Sequence, residues 1–290
     1  IPVAREKFDG TVLKVTVNGL RGGHSGEMIN RGRANSSMLI GRALDVLDGV
    51  CDMRIVSVDG GLKDNAIPVE SFAVVVVSDE KKAREALEKF GDDLKNEYRT
   101  PDPDVTLCVE SASPTVLPMT NADSEKVVTL LTCMPNGLIE LSMDVAGLPQ
   151  TSLNLGILTT SENEVSASFC VRSSVSSQKE MLKKRLTRMT ALLGGTVSYF
   201  GEYPAWEFKS DSPILKLCAD VYEKKFGKKP VITAIHGGLE CGLFSEKMPG
   251  LDCVSFGPDI FDIHTPREKL SVSSLNRTWE FLLEVLKEMK

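Results

Sequence analysis

The chain has 290 residues, 42% of them hydrophobic and 26% charged, enough for about two domains with separate cores. Its net charge of −6, with Lys and Arg scattered among Glu, excludes the clustered basic face of a nucleic-acid partner. No apolar run approaches the ~20 residues of a membrane span and the opening residues carry no signal-peptide pattern. The seven Cys show no paired spacing, so buried, reduced thiols in a cytoplasmic protein are expected.

Thr11–Val17 alternates as a strand and leads into the glycine-rich turn Gly19–Gly26. Helical spacing over Arg31–Leu47, strands at Arg54–Val58 and Ser71–Val77, an amphipathic helix at Glu80–Lys95 and a strand at Val105–Val109 follow. That order, β-α-β-β-α-β, is the ferredoxin-like unit. A second stretch partly repeats it. A helix over Asp123–Cys133 precedes strands at Leu138–Val145, Ser152–Leu158 and Val165–Val171, a helix at Gln178–Leu193 and a strand at Thr196–Phe200. Beyond about Trp206 the pattern changes to alternating helices and strands. Ser212-Pro213 opens a helix that ends at Gly227. Strands are predicted at Val231–Ile235 and Leu251–Phe256, with helices at Gly237–Lys247 and Ser271–Lys290, which suggests part of a parallel sheet. The fold class is therefore α/β, an α+β domain over 1–205 followed by a parallel-sheet portion over 206–290.

Three histidines stand at turns. His24 lies in Gly22-Gly23-His24-Ser25-Gly26, where glycines let the backbone approach a ligand. His236 opens Ile235-His236-Gly237-Gly238-Leu239-Glu240-Cys241-Gly242, a strand-to-helix turn whose backbone N–H groups, Gly238 among them, suit an anion. His264 follows Asp262 in the loop Asp262-Ile263-His264-Thr265-Pro266 after Gly257-Pro258. By strand alternation Arg172 falls on the polar face of its strand with Ser166 and Ser168. Each has a plain structural reading: polar turns for the histidines, a solvated face for Arg172, a capped turn for Asn65, and helix-dipole complementarity for Glu240.

The segment from Val254 to Ser274, the Gly-Gly-His-Ser-Gly turn, Asn65-Ala66-Ile67-Pro68 and Gly238-Leu239-Glu240-Cys241-Gly242 resemble motifs of the M20 family of zinc metallopeptidases, and within it of the aminoacyl-histidine dipeptidases. The resemblance covers essentially the whole chain. It implies a lid or dimerisation domain to about residue 205 and, from 206, the carboxyl-terminal portion of a zinc-binding catalytic domain. It implies that His264 is a zinc ligand and that His24 donates a hydrogen bond to the oxyanion of the tetrahedral intermediate. Arg172, with Asn65, would bind the substrate's terminal carboxylate. Glu240 would pair with its free amino group, and His236 and Gly238 would line the substrate site.

The implied activity is hydrolysis of unblocked dipeptides such as Xaa-His, with two zinc ions and a possible homodimer through the lid. The family's other metal-ligand motifs do not precede Ile1, so the expectation is a carboxyl-terminal part of an enzyme that lacks the amino-terminal part of its catalytic domain and is inactive alone. The rival readings are a free-standing lid-like dimerisation or peptide-binding module, and an aminoacylase or tripeptidase of the same family.

Overall fold

A computed structural model describes residues 1–233, 239–262 and 266–289 of the chain. They fall into two units, Ile1–Gly201 and the described residues from Glu202 onward. The first is a mixed α/β unit built on one antiparallel sheet. Alternation in β1 (Thr11–Asn18) turns Leu13, Val15 and Val17 inward. A short strand β2 (Gly23–His24) and helix α1 (Ser25–Met28) follow, then α2 (Ser36–Asp48), β3 (Met53–Gly60), β4 (Ala66–Ile67), β5 (Ser71–Val77), α3 (Glu80–Glu97) and β6 (Thr106–Ser111). Helix α2 starts later than its periodicity suggests because Asn35 caps it, its side chain accepting from the N–H groups of Ser37 and Met38.

The second half supplies α4 (Asn121–Cys133), β7 (Gly137–Leu141), β8 (Pro149–Thr160), β9 (Val165–Ser173) and α5 (Ser176–Leu192). All seven longer strands join one sheet in the order β6-β1-β5-β3-β8-β7, with β9 also paired to β8. In the sheet the two halves meet at β3 and β8 through the single register pair Gly60–Leu158, while α4 packs on α2 and β3. Thr160 reinforces that joint: its hydroxyl accepts from the Val58 N–H and donates to the Val58 carbonyl, both at 2.8 Å. Its own N–H donates to the Asp59 carboxylate at 2.8 Å. Ile40, Leu44 and Leu47 of α2 and Leu87 and Leu94 of α3 are buried in one core with Val15, Ile55, Val75, Leu153 and Leu155.

The unit from Glu202 is smaller. Helix α6 (Pro213–Phe226) and helix α8 (Val272–Glu288) pack around Cys218, Val221, Phe281 and Val285. Ser212 and Ser271 cap the two helices, as their sequences predict. Between them lie α7 (Glu240–Lys247) and a two-stranded ribbon, β10 (Ile260–Phe261) with β11 (Lys269–Leu270).

Four expectations are corrected. Thr196–Phe200 forms no strand, so the second half repeats the first only in part. Leu251–Phe256 forms no strand either, and Val231–Thr233 is irregular. Every strand pairing among the described residues is antiparallel, so the parallel sheet predicted over 206–290 is absent from them. The residues of 251–256 are engaged by side-chain contacts instead. The Asp252 carboxylate accepts from the Ser212 hydroxyl and the Ile214 N–H, Val254 packs on the α6–α8 core, and the Phe256 ring meets Phe281 edge-on at 4.9 Å. The thiols are not uniformly buried. Cys108 on edge strand β6 and Cys133 at the end of α4 are exposed, while Cys218 is buried.

Candidate functional site

The turn that carries His24 is shaped by its glycines. Gly23 has φ of +130°, and a Cβ there would lie 2.7 Å from the Arg33 guanidinium and 3.0 Å from the Met28 side chain. Only glycine fits this crowded, left-handed position. His24 itself is exposed. It pairs with Ala66 in the β2–β4 ladder, and the next N–H, that of Ser25, donates to the Asn65 carbonyl at 2.8 Å. The His24 and Asn65 turns are thus one structure.

This double turn sits on β8. The Asn154 side-chain amide donates to the carbonyls of Asp64 (3.0 Å) and Ala66 (2.8 Å), gripping the backbone on both sides of Asn65. At Gly156 an added Cβ would lie 2.4 Å from the Asp64 Cα, so the absence of a side chain lets the turn lie flat on the strand. Asn154 in turn accepts from Asn35, whose amide also donates to the Leu155 carbonyl at 2.8 Å. Both asparagines are buried, with their amide groups hydrogen-bonded.

Arg172 reaches the same face from β9. Its register partner on β8 is Ser152, two residues from Asn154, whose own partner is Cys170. Residues two apart on a strand share a face, so Arg172, Ser152 and Asn154 lie on one side and Leu153, Leu155, Phe169 and Val171 on the other. Arg172 is half-buried. The fold therefore anchors the His24 and Asn65 turns at Asn154 and puts Arg172 opposite Ser152, two residues along the same face of the β8–β9 pair, away from the main core. Sequence reasoning did not single out Asn35 or Asn154. The available signal was a fully polar amide inside the apolar run Leu153–Leu158.

Glu240 belongs to the smaller unit. It is exposed as the first residue of α7, where a carboxylate complements the helix dipole. Burial pushes the adjacent Cys241 thiol up, and the Cys253 thiol and Glu240 carboxylate add to the shift. His236, Gly238 and His264 lie outside the described residues. Among the described residues no three His, Cys, Asp or Glu side chains are grouped so as to hold a metal ion. No described helix is long and apolar enough to cross a membrane.

Comparison with known proteins adds to this geometry. The family model for peptidase family M20/M25/M40 matches residues 45–288. The cytosol non-specific dipeptidase of Escherichia coli (strain K12) is 34% identical over all of this chain, which spans 59% of that protein. The crystal structure of an aminoacylhistidine dipeptidase from Vibrio alginolyticus superposes with a TM-score of 0.92 at 34% identity, again over all of this chain and 60% of the relative. The chain thus spans about three-fifths of the length of the relatives it matches.

Proposed function

Since this chain belongs to peptidase family M20/M25/M40, we propose that it serves the hydrolysis of unblocked dipeptides, Xaa-His among them. The observation that supports this most is the common anchoring of the His24 and Asn65 turns on β8, beside Arg172 of β9. One face offers a hydrogen-bond donor and a guanidinium fork, which suit the scissile carbonyl oxygen and the terminal carboxylate of a dipeptide. His24 donates to the carbonyl oxygen as it gains negative charge. Arg172 engages the terminal carboxylate through two parallel N–H bonds, with Asn65 beside it. The family resemblance assigns Glu240 to the substrate's free amino group and His236 and Gly238 to substrate binding. In hydrolysis a water oxygen bonds the carbonyl carbon, the C–N bond breaks, and a proton passes to the leaving amine.

The lid reading of residues 1–205 and the catalytic-domain reading of 206–290 belong to this proposal. The strand order β6-β1-β5-β3 supports a ferredoxin-like first half. Zinc dependence, with His264 as one ligand, rests on the family resemblance, and no step is routed through the metal. A homodimer through the first unit and a cytoplasmic location complete the reading, the latter supported by the relative named as cytosolic.

The test uses the catalytically active protein. Unblocked dipeptides should be cleaved well and N-acylated ones poorly; preference for N-acylated substrates would establish the aminoacylase reading instead. His24→Ala should lower kcat by roughly 10²–10³-fold, the scale for one oxyanion donor, with metal content unchanged. Loss of metal, or normal turnover, would remove His24 from the chemistry.

A further inference from the structure

The loop that presents His24 leaves the sheet after β1 and returns at the cap of α2, and both ends of it meet one side chain. The Asp102 carboxylate is fully buried. Its Oδ1 accepts from the Arg21 N–H at 2.7 Å and its Oδ2 from the Ala34 N–H at 2.7 Å. Bonds of this kind to a carboxylate are short and roughly twice as strong as neutral ones. The two N–H groups bracket the whole excursion that contains β2, His24 and α1.

Asp102 is itself held stiffly. It stands between Pro101 and Pro103, so a ring fixes φ on either side and the position before Pro103 is restricted to extended backbone. Its N–H donates to the Tyr98 carbonyl at 2.9 Å, and its carbonyl accepts from the Val105 N–H at 3.1 Å. The carboxylate therefore links the His24 loop to the end of α3. The tip of that loop is fixed separately, by the Ser25–Asn65 bond and the β2–β4 ladder. A loop pinned at tip and neck keeps its angle as well as its position.

We infer that Asp102 is a positioning residue for His24, its buried carboxylate closing the neck of the loop so that the imidazole is presented at a fixed angle to the substrate. The inference rests on the reading of His24 as oxyanion donor. Asp102→Asn keeps the shape but turns an acceptor into a donor facing one of the two N–H groups, which opens the neck on that side. A group that must donate at ~3 Å loses much of its effect when displaced by about 1 Å, so kcat should fall roughly 10–100-fold. KM should change little, because the guanidinium fork of Arg172 is untouched.

The decisive measurement is a double-mutant cycle in the active protein. If Asp102 acts through His24, Asp102→Asn should cost nothing further once His24→Ala is present. The same proportional loss in both backgrounds would show a general structural role and overturn the inference. Full activity of Asp102→Asn alone would overturn it as well. If His24→Ala alone turned over normally, the oxyanion reading would fall and this inference with it. Should Asp102→Asn not fold, amide exchange on the unsubstituted protein decides: slow exchange at Arg21 and Ala34 supports the closed neck, and fast exchange at either overturns it.

Discussion

Arg172 and Arg5 are both half-buried guanidinium groups. Arg5 is consumed internally, donating to the carbonyls of Glu162, Val56, Leu117 and Ser161 and so stapling the amino-terminal segment to the sheet. Arg172 lies on the face that carries His24 and Asn65. If it grips a substrate carboxylate, Lys should replace it poorly, because an ammonium lacks the planar fork. Arg172→Lys and Arg172→Ala should both damage cleavage of dipeptides with a free carboxyl terminus, while C-terminally amidated dipeptides, already poor substrates, should lose little more. Equal proportional losses on both substrates in steady-state assays would mean that Arg172 only supports β9. The motifs around His24, Asn65 and Arg172 are local, and each was legible in the sequence. Their convergence was not, because it depends on Asn154 meeting a turn 90 residues earlier, and no single-strand pattern encodes that register.

The elements that read correctly are those whose burial follows a period. β1 alternates and α3 is amphipathic over its full length. Thr196–Phe200 and Leu251–Phe256 misled because an apolar run looks the same whether it enters a ladder or packs side chains against helices. Helix α4 shows how an element end is held. Thr120 caps it, and Asp123 in its first turn accepts from the Ala4 N–H, the Thr120 hydroxyl and the Lys126 ammonium. Burial alone would push the Asp123 carboxyl up, but these hydrogen bonds outweigh it and hold the carboxyl below the usual range. A depressed carboxyl adds stability above its unfolded value, about 3.9, and loses it as pH falls through the lower folded value. Asp123→Asn should therefore destabilise the chain by about 1–2 kcal/mol near neutral pH, the deficit shrinking below about pH 4. Denaturant melts at several pH values would test this, and a deficit independent of pH would sink it.

At the scale of the molecule the two units differ in how much apolar surface they bury. Thirty-five buried residues form the core of the first and four that of the second, among the described residues. Stability should be correspondingly uneven along the chain. Within the first unit the joint at Gly60–Leu158 has a consequence for the route to the native state. Each pairing of this sheet's strands inside a half is made of four to nine register pairs, whereas the joint closes about a hundred residues with one, so it gains least against its loop entropy. The strand pairings inside each half should therefore form first and the β3–β8 joint last, past the main barrier. Thr160→Val, which deletes both hydroxyl bonds to Val58, should then speed unfolding and leave refolding nearly unchanged in stopped-flow measurements. Slower refolding would instead put the joint in the nucleus. Because the turns of His24 and Asn65 come from one half and Arg172 from the other, a late joint means that no folding intermediate carries the proposed recognition face assembled, and a partly folded chain is spared from binding peptides through it.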